Sequence, residues 1–453
     1  MTETIAPLAA LGQFVVDAQT SAAARRVAAQ AFLDTVGVIL AGVPEDASRI
    51  VREVIADENS GVNVVLGTSM FASPSSAAFA NGTAAHALDF DDMCFVSLAH
   101  PSAPLVPACI AAAESVGASG RALLDAYIVG FEIEARLGRV MNPRHYERGW
   151  HCTSTLGTIG AAAASSRLFG LNAGVTAHAL AIAASEASGL KENFGTMVKP
   201  LHAGLAARNG VLAALLARRG MTASPQALDG TQGFLHAFDS AQASLGEAAR
   251  DLGSRWEIVE TGITVKLYPS CAATHPTLDA ILDLRRAEGF SGEDVDRLDV
   301  AVDSITPTVL IHDRPTSALE AKFSMPFCAA AAVVFGAVDV ATFEEAALAD
   351  PRLAAVMERV AMRVEPSFDA IGPPLTEGRV SIALRDGRVL CQEAHGARGY
   401  PDRPASDEQL ASKFRGCARR ALSDISAERV LELLKRIEAL ADVRILTAAL
   451  EVR

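Results

Sequence analysis

Four short runs of the sequence carry side chains that can take up or release protons. The first run begins at His86, holds three carboxylates within four residues, at Asp89, Asp91 and Asp92, and is followed by a His-Pro-Ser sequence at His100. Adjacent carboxylates repel one another, so such a run requires cations, hydrogen-bond donors or a metal ion nearby. The run predicts an acidic group that orients a histidine. Its alternative is an acidic helix end exposed to solvent.

The second run combines two imidazoles, a phenol, a guanidinium and three hydroxyls ahead of an alanine-rich segment. Its histidines are His145 and His151, its phenol is Tyr146, and its hydroxyls lie at 153–155. The free backbone N–H groups of a helix that begins at these hydroxyls would bind a carboxylate well. Ordinary helix capping beside a core tryptophan is the alternative interpretation.

The third run places a lysine directly before a proline, in the sequence Lys199-Pro-Leu-His202. Proline disfavours helical geometry in the residue before it, so we expect Lys199 to project just ahead of a helix. Among apolar neighbours the pKa of a lysine falls toward neutrality, as a proton-abstracting base at pH 7 requires. A lysine that lies along the protein surface is the alternative.

The fourth run, Tyr268-Pro-Ser-Cys271, continues to Thr274 and His275 and lies near a predicted domain junction. Domain junctions commonly form ligand clefts, into which Ser270, Cys271 and His275 would direct polar atoms. A turn followed by a helix cap explains the same residues without a ligand.

Long segments rich in Ala, Leu and Val recur from Thr20 to Gly262, separated by short Gly, Pro or Asn breaks. Their apolar residues have helical spacing, and Gly220 is typical of a helix C-terminus. The sequence therefore predicts helices at 21–40, 76–86, 104–116, 122–137, 157–168, 177–188 and 205–219.

Strand patterns begin after Gly262. Thr264–Tyr268 is rich in β-branched residues, 295–305 alternates apolar with polar residues, and Asp386-Gly387 predicts a hairpin turn between 379–384 and 388–391. Helices are predicted at 276–287, 320–335, 343–349, 351–360, 406–422 and 426–441.

The predicted fold is mainly α. A large all-α domain, discontinuous in sequence, comprises residues 1–263 and 399–453, and a smaller α/β domain of residues 264–398 is inserted before the C-terminal helices.

The composition limits the binding partners and the cellular compartment that we expect for the protein. The net charge is −13 and no run is rich in Lys or Arg, which argues against binding to nucleic acid or to an anionic membrane. Seven scattered cysteines without a C-x-x-C pair are typical of reduced thiols. Met1–Val15 carries no basic leader, and no strongly apolar stretch is long enough to span a membrane. We predict a cytoplasmic protein.

Other classes of enzyme find little support. No P-loop, dinucleotide fingerprint, nucleophile elbow or H-E-x-x-H sequence occurs. The remote alternative is a Mg²⁺ site at Asp89, Asp91 and Asp92 for a diphosphate substrate, but the second acidic cluster that it needs is not found. A non-enzymatic helical scaffold would leave the clustered His, Lys and Tyr residues without a function.

Taken together, the four runs resemble the MmgE/PrpD family, which includes 2-methylcitrate dehydratase, cis-aconitate decarboxylase and iminodisuccinate epimerase. The resemblance covers nearly the whole chain. It implies a homodimer, a cleft between two domains, a small anionic carboxylic-acid substrate, and neither a cofactor nor a metal. The motifs that carry it are Asp89-Phe-Asp91-Asp92 with His100-Pro-Ser, Gly149-Trp150-His151 with Thr153-Ser154-Thr155, Asn193-Phe-Gly-Thr with Lys199-Pro-Leu-His202, and Tyr268-Pro-Ser-Cys271.

By motif match, the resemblance implies catalytic roles for several residues. They are Asp89, His100, His151 and Lys199, with Tyr146 as a weaker candidate. We assign substrate binding to Thr153, Ser154, His202, Ser270, Cys271, Met93 and Phe327. Met93, Cys271 and Phe327 stand where the decarboxylase-like branch of the family has threonine, histidine and tyrosine, respectively. The motifs of this chain are most similar to those of iminodisuccinate epimerase.

The step common to these reactions is removal of a proton from the carbon beside a carboxylate. We expect Lys199 to act as base on one face, and His151 or Tyr146 as acid on the other. His100, His151 and the helix start at 153–155 would stabilise the enolate-like intermediate. We predict a cofactor-independent epimerase acting on a small di- or tricarboxylic acid, with a dehydratase or decarboxylase of the same family as the alternative.

Overall fold

The computed structural model describes residues 7–57, 61–238, 243–371 and 377–452. The segment Met1–Val15, for which we predict no basic leader, is described only from residue 7, because residues 1–6 lie outside the described ranges. The described chain forms two compact units. Unit 1 falls within Met1–Ala87, Asp91–Ile263 and Ser406–Arg453, and unit 2 within Leu88–Phe90 and Thr264–Ala405.

The first two segments of unit 1 are built from helices whose starts are capped by polar side chains. Ser21, Ser73, Ser119 and Asn172 each accept a hydrogen bond from a backbone N–H in the first turn. The helices are α1 (Pro7–Asp17), α2 (Ala22–Gly42), α3 (Asp46–Ala56), α4 (Pro74–His86), α5 (Ser102–Val116), α6 (Gly120–Met141), α7 (Arg144–Glu147), α8 (Cys152–Leu168), α9 (Ala173–Glu186), α10 (Val198–Arg218), α11 (Phe234–Ala237), α12 (Leu245–Ala248) and α13 (Glu257–Glu260).

Small residues let the central helices of unit 1 approach closely. A Cβ atom on Gly82 of α4 would lie 2.9 Å from the Cα of Gly204 on α10, and one on Gly210 would lie 2.4 Å from the Cβ of Ala161 on α8. Such contacts leave no room for a larger side chain. The glycine- and alanine-rich composition thus brings the N-terminus of α8, the N-terminus of α10 and the C-terminus of α4 into one packed group.

Unit 1 is not purely helical. Strands β1 (Asn63–Val64) and β2 (Phe71–Ala72) pair antiparallel, so the prediction of an all-α domain needs this small correction. Gly67, with φ +72°, lies in the turn between them. Two-residue strands are too short to give a recognisable alternation in sequence.

Unit 2 contains a four-stranded sheet with the order β4-β3-β5-β6. Its strands are β3 (Val295–Val302), β4 (Val360–Val364), β5 (Glu377–Leu384) and β6 (Val389–His395). β3 pairs parallel with β4 and antiparallel with β5, and the predicted hairpin joins β5 to β6. The helices of unit 2 are α14 (His275–Glu288), α15 (Thr306–Val309), α16 (Ala318–Ala321), α17 (Met325–Phe335), α18 (Glu345–Leu348) and α19 (Pro351–Met357).

Three local predictions in unit 2 are wrong. Thr264–Tyr268 is not a strand, and the helix predicted over 351–360 ends at Met357, so that Val360 begins β4. The helix predicted over 320–335 is broken at Ser324, which caps α17 instead. In each case an apolar or β-branched run fits more than one local structure, and tertiary pairing decides between them.

The C-terminal segment returns to unit 1 as α20 (Asp407–Ala418), α21 (Asp424–Lys435) and α22 (Arg444–Ala449). Unit 1 resumes at Ser406 rather than at the predicted residue 399, because Arg398 binds Asp279 and the Tyr400 hydroxyl donates to Ala272 O within unit 2. The predicted class, mainly α with a smaller α/β part, is confirmed.

Within the described ranges, no single helix is long and apolar enough to cross a membrane. The pair α2 and α3, bent by 83°, meets that requirement only when the two helices are taken together.

Candidate functional site

The N-terminus of α8 fixes the position of His151. His151 is the N-cap residue, yet its side chain makes no capping hydrogen bond, and its backbone N–H donates to Gly189 O at 3.0 Å. Gly189 has φ +123°, and a Cβ there would lie 2.8 Å from the Cβ of Ser154. The glycine allows the chain to pass close to the start of α8, and the His151 ring is left available for other contacts.

His151 is a buried imidazole with one nitrogen engaged. Its Nδ1 lies 3.1 Å from Nδ1 of His202, whereas its Nε2 has no hydrogen-bond partner among the described residues, although the side chain is only 1% exposed. Burial, together with the positive charge of His86, Lys199 and neighbouring rings, holds the pKa of His151 well below its usual range. Burial also lowers the pKa of His202 to about 4. Both rings are therefore neutral at pH 7.

Lys199 lies against the same aromatic side chain as His151. Its Nζ is 5.2 Å from the centroid of the Phe194 ring, and the His151 ring meets that ring edge-on at 5.0 Å. Lys199 is buried in the first turn of α10, so the prediction that it projects ahead of the helix is wrong. Proline is tolerated in the first turn of a helix, where its missing N–H has no intrahelical partner.

Two further histidines gather around Asp91. His86, at the end of α4, has its Nδ1 2.7 Å from Oδ2 of Asp91, and His100 Nδ1 lies 3.3 Å from the same oxygen. The His86 ring stacks on His151 at 5.6 Å and meets His100 edge-on at 4.6 Å. His100, His86, His151 and His202 thus form a continuous array of four imidazoles, called here the imidazole array.

Asp92 points into a different environment from Asp91. It accepts a hydrogen bond from the Ser102 backbone N–H at 3.1 Å and shares another with the Ser102 hydroxyl, which contacts the Tyr127 hydroxyl at 2.6 Å. Burial, opposed by these hydrogen bonds and reinforced by Asp34 and Asp91, raises the pKa of Asp92 to about 8. Asp92 is therefore a largely neutral group that joins the start of α5 to α6.

The geometry around Asp91 fits shared protons better than a metal ion. Ligand atoms of His86, Asp91 and His100 lie within 4.8 Å of one another. Metal–nitrogen bonds of about 2.0 Å keep neighbouring ligands of a tetrahedral site about 3.3 Å apart, whereas the 2.7 Å between His86 and Asp91 is a hydrogen-bond distance. Asp92 is engaged by Ser102, which removes one of the three carboxylates of the alternative Mg²⁺ site at 89–92.

The remaining predicted residues of unit 1 lie around the N-terminus of α8. Thr153 Oγ1 accepts from the His100 backbone N–H at 2.9 Å, and Ser154 Oγ donates to His202 O at 3.2 Å. These two hydroxyls therefore connect the elements that carry the imidazoles. Tyr146 is half-buried on α7 with the Lys191 ammonium 3.4 Å from its ring centroid, and Met93 is half-buried just after Asp92.

Asp89 belongs to unit 2 and is held there by a buried lysine. Its Oδ2 lies 3.1 Å from Lys266 Nζ, which also donates to Asp89 O at 2.9 Å. Lys322, likewise buried, donates to Leu88 O. Asp89 has φ +53°, an uncommon value for a residue with a side chain, and these contacts stabilise that conformation.

Ser270, Cys271 and Phe327 also lie in unit 2. Ser270 Oγ is 2.8 Å from Thr274 Oγ1, and its carbonyl oxygen is 3.2 Å from His275 Nε2. Cys271 is half-buried, and Phe327 is buried with its ring 5.6 Å from that of Phe343. Whether these residues share a cleft with the imidazole array stays a prediction, as do the roles assigned to all the site residues.

Sequence reasoning did not single out Lys266 or Lys322, whereas His86 belongs to the first of the four runs. Lys266 did carry a signal, because it is a single charge within the apolar, β-branched run Thr264–Tyr268. A charge in such a position is either at a surface or buried with a partner, and here it is buried with Asp89.

The chain matches known proteins along most of its length. A family model described as the MmgE/PrpD N-terminal domain matches residues 9–245, and one described as the MmgE/PrpD C-terminal domain matches residues 268–439. The cis-aconitate decarboxylase of Homo sapiens is 30% identical over 437 residues, covering 92% of this chain and 88% of that protein. That of Mus musculus is 31% identical over 396 residues, or 83% and 78%. The cis-aconitate decarboxylase-like protein oryM of Aspergillus oryzae is 30% identical over 437 residues, or 91% and 89%.

Proposed function

Because the chain belongs to the MmgE/PrpD family, we propose that it is an isomerase or lyase that forms a carbanion beside a carboxylate of a small di- or tricarboxylic acid, without a cofactor. The substrate is anionic and the chain as a whole carries a net charge of −13, so binding depends on local cations and N–H donors. In unit 1 the N-terminus of α8 supplies N–H donors, and Lys199 becomes a cation when it takes up the substrate's proton.

The observation that carries this proposal is the free Nε2 atom of His151. A buried polar atom without a partner is costly, and sites of this kind are commonly completed by a ligand. The ring is neutral at pH 7 because burial and nearby positive charge lower its pKa, and in the tautomer protonated on Nε2 it can donate a proton to a ligand. After it has taken up the substrate's proton, Lys199, whose Nζ lies 5.2 Å from the centroid of the Phe194 ring, is a cation that favours an enolate-like intermediate.

We assign Lys199 as the base on one face of the substrate, and His151 or Tyr146 as the acid on the other. His100 and the backbone N–H groups at the start of α8 stabilise the developing negative charge. Asp89, bound to Lys266, completes the charged groups that the resemblance assigns to the site.

A lyase reaction is the outcome that the relatives favour, because those reported above are named cis-aconitate decarboxylases. Epimerisation, the principal expectation from the motifs, is the second candidate. It is favoured by Met93, Cys271 and Phe327, which stand where the decarboxylase-like branch has three polar side chains. Both outcomes pass through a carbanion beside a carboxylate: epimerisation forms it by removing a proton, whereas decarboxylation forms it by breaking a C–C bond with release of carbon dioxide, after which the carbon is protonated. The homodimer and the cytoplasmic location are part of the proposal.

The proposal is tested by incubating the enzyme with cis-aconitate, 2-methylcitrate and iminodisuccinate in D₂O and following products and deuterium incorporation by NMR. We expect one of these acids to be converted, and the Lys199→Ala and His151→Ala variants to lose roughly 100- to 10,000-fold in rate, as removal of an acid–base group does. The matched controls are Lys435→Ala and His236→Ala, exposed residues that should leave the rate unchanged. Unchanged exchange in both active-site variants would reject the assigned roles.

A further inference from the structure

Asp91 is a buried carboxylate that two imidazole rings share through one oxygen. The side chains of Asp91 and His86 are 0% exposed, whereas that of His100 is 12% exposed. Both ring Nδ1 atoms face Oδ2, at 2.7 Å for His86 and 3.3 Å for His100. The other oxygen, Oδ1, has no hydrogen-bond partner in the described chain. His86 is thus the inner ring and His100 the outer ring of one carboxylate-centred group.

The charges that face Asp91 keep it ionised. Burial alone would raise its pKa, but the attraction and hydrogen bonds of His86 and His100 outweigh burial and hold the pKa of Asp91 well below its usual range. Asp34 and Asp92 are the other carboxyls near it, and Asp34 is paired with Lys413 at 2.6 Å. An ionised carboxylate can only accept hydrogen bonds. Nδ1 of His86, at hydrogen-bond distance from Oδ2, must therefore carry a proton, and the charge of the same oxygen favours a proton on Nδ1 of His100.

We propose that Asp91 is a positioning residue, which fixes His86 and His100 in the tautomer that carries its proton on Nδ1 and so makes Nε2 of each ring the acceptor nitrogen. The inference rests on the proposed function, since it specifies how the ring of His100 is oriented for that reaction. Asp91 acts through the two rings and does not itself touch the substrate. The run at 89–92 thus contains a carboxylate bound to a lysine, one bound to imidazoles and one bound to a serine.

The carboxylate matters because neutral imidazole has two tautomers that place its donor and its acceptor on opposite edges. The hydrogen bond made by one ring nitrogen decides which nitrogen is protonated. Asparagine at this position could turn its amide N–H toward a ring and so stabilise the opposite tautomer. A tautomer change would exchange donor for acceptor at Nε2 without moving the ring.

The first test is an NMR spectrum of the full-length protein labelled with ¹⁵N-histidine, with the His86 and His100 signals assigned through His86→Gln and His100→Gln. We expect both rings to carry the proton on Nδ1 in the parent protein. In Asp91→Asn we expect at least one ring to change tautomer. We also expect kcat for the substrate identified above to fall roughly 10- to 100-fold, with KM changed much less, as loss of a group that orients a reacting ring does.

Asp92→Asn is the matched control. It is the same substitution at the adjacent buried position, but Asp92 contacts Ser102 rather than an imidazole. We expect it to leave both histidine tautomers and kcat near the parent values. If Asp92→Asn lowers kcat as much as Asp91→Asn does, the effect of Asp91 is general to the loop and the proposal fails.

The tautomer measurement separates this inference from the proposed function. Nε2-protonated His86 and His100 in the parent protein would overturn the positioning role even in an enzyme that converts its substrate rapidly. Nδ1-protonated rings in a protein that converts none of the acids would leave the positioning of the rings supported and the proposed function rejected. If Asp91→Asn does not fold, the positioning role is tested on the parent protein and on Asp91→Glu. The glutamate keeps the negative charge, so both rings should keep the proton on Nδ1 in that variant.

Discussion

His151 and His202 meet through their Nδ1 atoms, 3.1 Å apart, at the place where the N-termini of α8 and α10 come together. Both rings are buried, and the pKa of each is lowered, so one neutral ring donates this hydrogen bond and the other accepts it. The bond fixes the His151 ring and directs its unpartnered Nε2 away from His202. Gly189 contributes to this arrangement because its carbonyl oxygen binds the His151 backbone and its Cα lies against Ser154.

Replacement of Gly189 by alanine should disturb this pair of histidines. Its Cβ would lie 2.8 Å from the Cβ of Ser154 and 3.4 Å from the Cγ of His202, and the φ of +123° is strained for any residue with a side chain. A displacement of about 1 Å at a catalytic group can cost about 100-fold in rate. We therefore expect Gly189→Ala to lower kcat by roughly that factor, measured on the substrate identified by NMR.

Gly220→Ala is the control for the backbone strain alone. Gly220 also has a positive φ, of +93°, but no atom lies within 4 Å of the added Cβ. It should lower the free energy of unfolding by about 1 kcal/mol and leave kcat unchanged. Equal losses of kcat in the two variants would show that strain, rather than displacement of the histidines, is responsible.

Stability at acid pH should depend on His145, which is buried between Trp150 and Phe238. Burial lowers its pKa to about 4, whereas the unfolded chain titrates near about 6.5. The unfolded state therefore binds a proton that the folded state does not, so stability is lost as pH falls through this interval. Each such histidine contributes about 1 kcal/mol per pH unit. We expect His145→Gln to lose less stability than the parent between about pH 6.5 and about pH 4.5, measured by urea unfolding.

The exposed His236 provides the comparison. His236→Gln should lose as much stability on acidification as the parent protein does. The parent, His145→Gln and His236→Gln curves can be recorded under identical conditions. Parallel curves for all three proteins would contradict the assignment of the acid sensitivity to His145.

The choice between lyase and epimerase should respond to three side chains. We expect the triple variant Met93→Thr, Cys271→His and Phe327→Tyr to decarboxylate cis-aconitate at least about tenfold faster than the parent. The reason is that polar pocket groups discriminate strongly between substrates through hydrogen bonds that apolar groups cannot make. The measurement is release of carbon dioxide together with NMR of the product, with each single variant recorded for comparison. If the parent decarboxylates cis-aconitate rapidly and the triple variant is no faster, these positions do not select the reaction.

The sequence alone determined the class of fold, the family and most of the chemically active residues. Helical periodicity is a local feature, so the predictions for α2, α4, α5 and α6 lie close to the observed positions. The hairpin at Asp386-Gly387 was likewise encoded by its turn residues. The matched family models confirm the resemblance that the four motifs carried.

Only the tertiary structure decided which of these residues act on one another. Asp89, Asp91 and Asp92 are neighbours in sequence, but their carboxylates bind Lys266, two imidazoles and Ser102, partners that lie far along the chain. Tertiary packing is also the reason that Thr264–Tyr268 does not form a strand and that Lys199 lies within α10. Side-chain type and spacing are properties of a short segment, whereas hydrogen-bond partners, burial and pKa are set by what other segments bring within a few ångströms, and no local pattern records that.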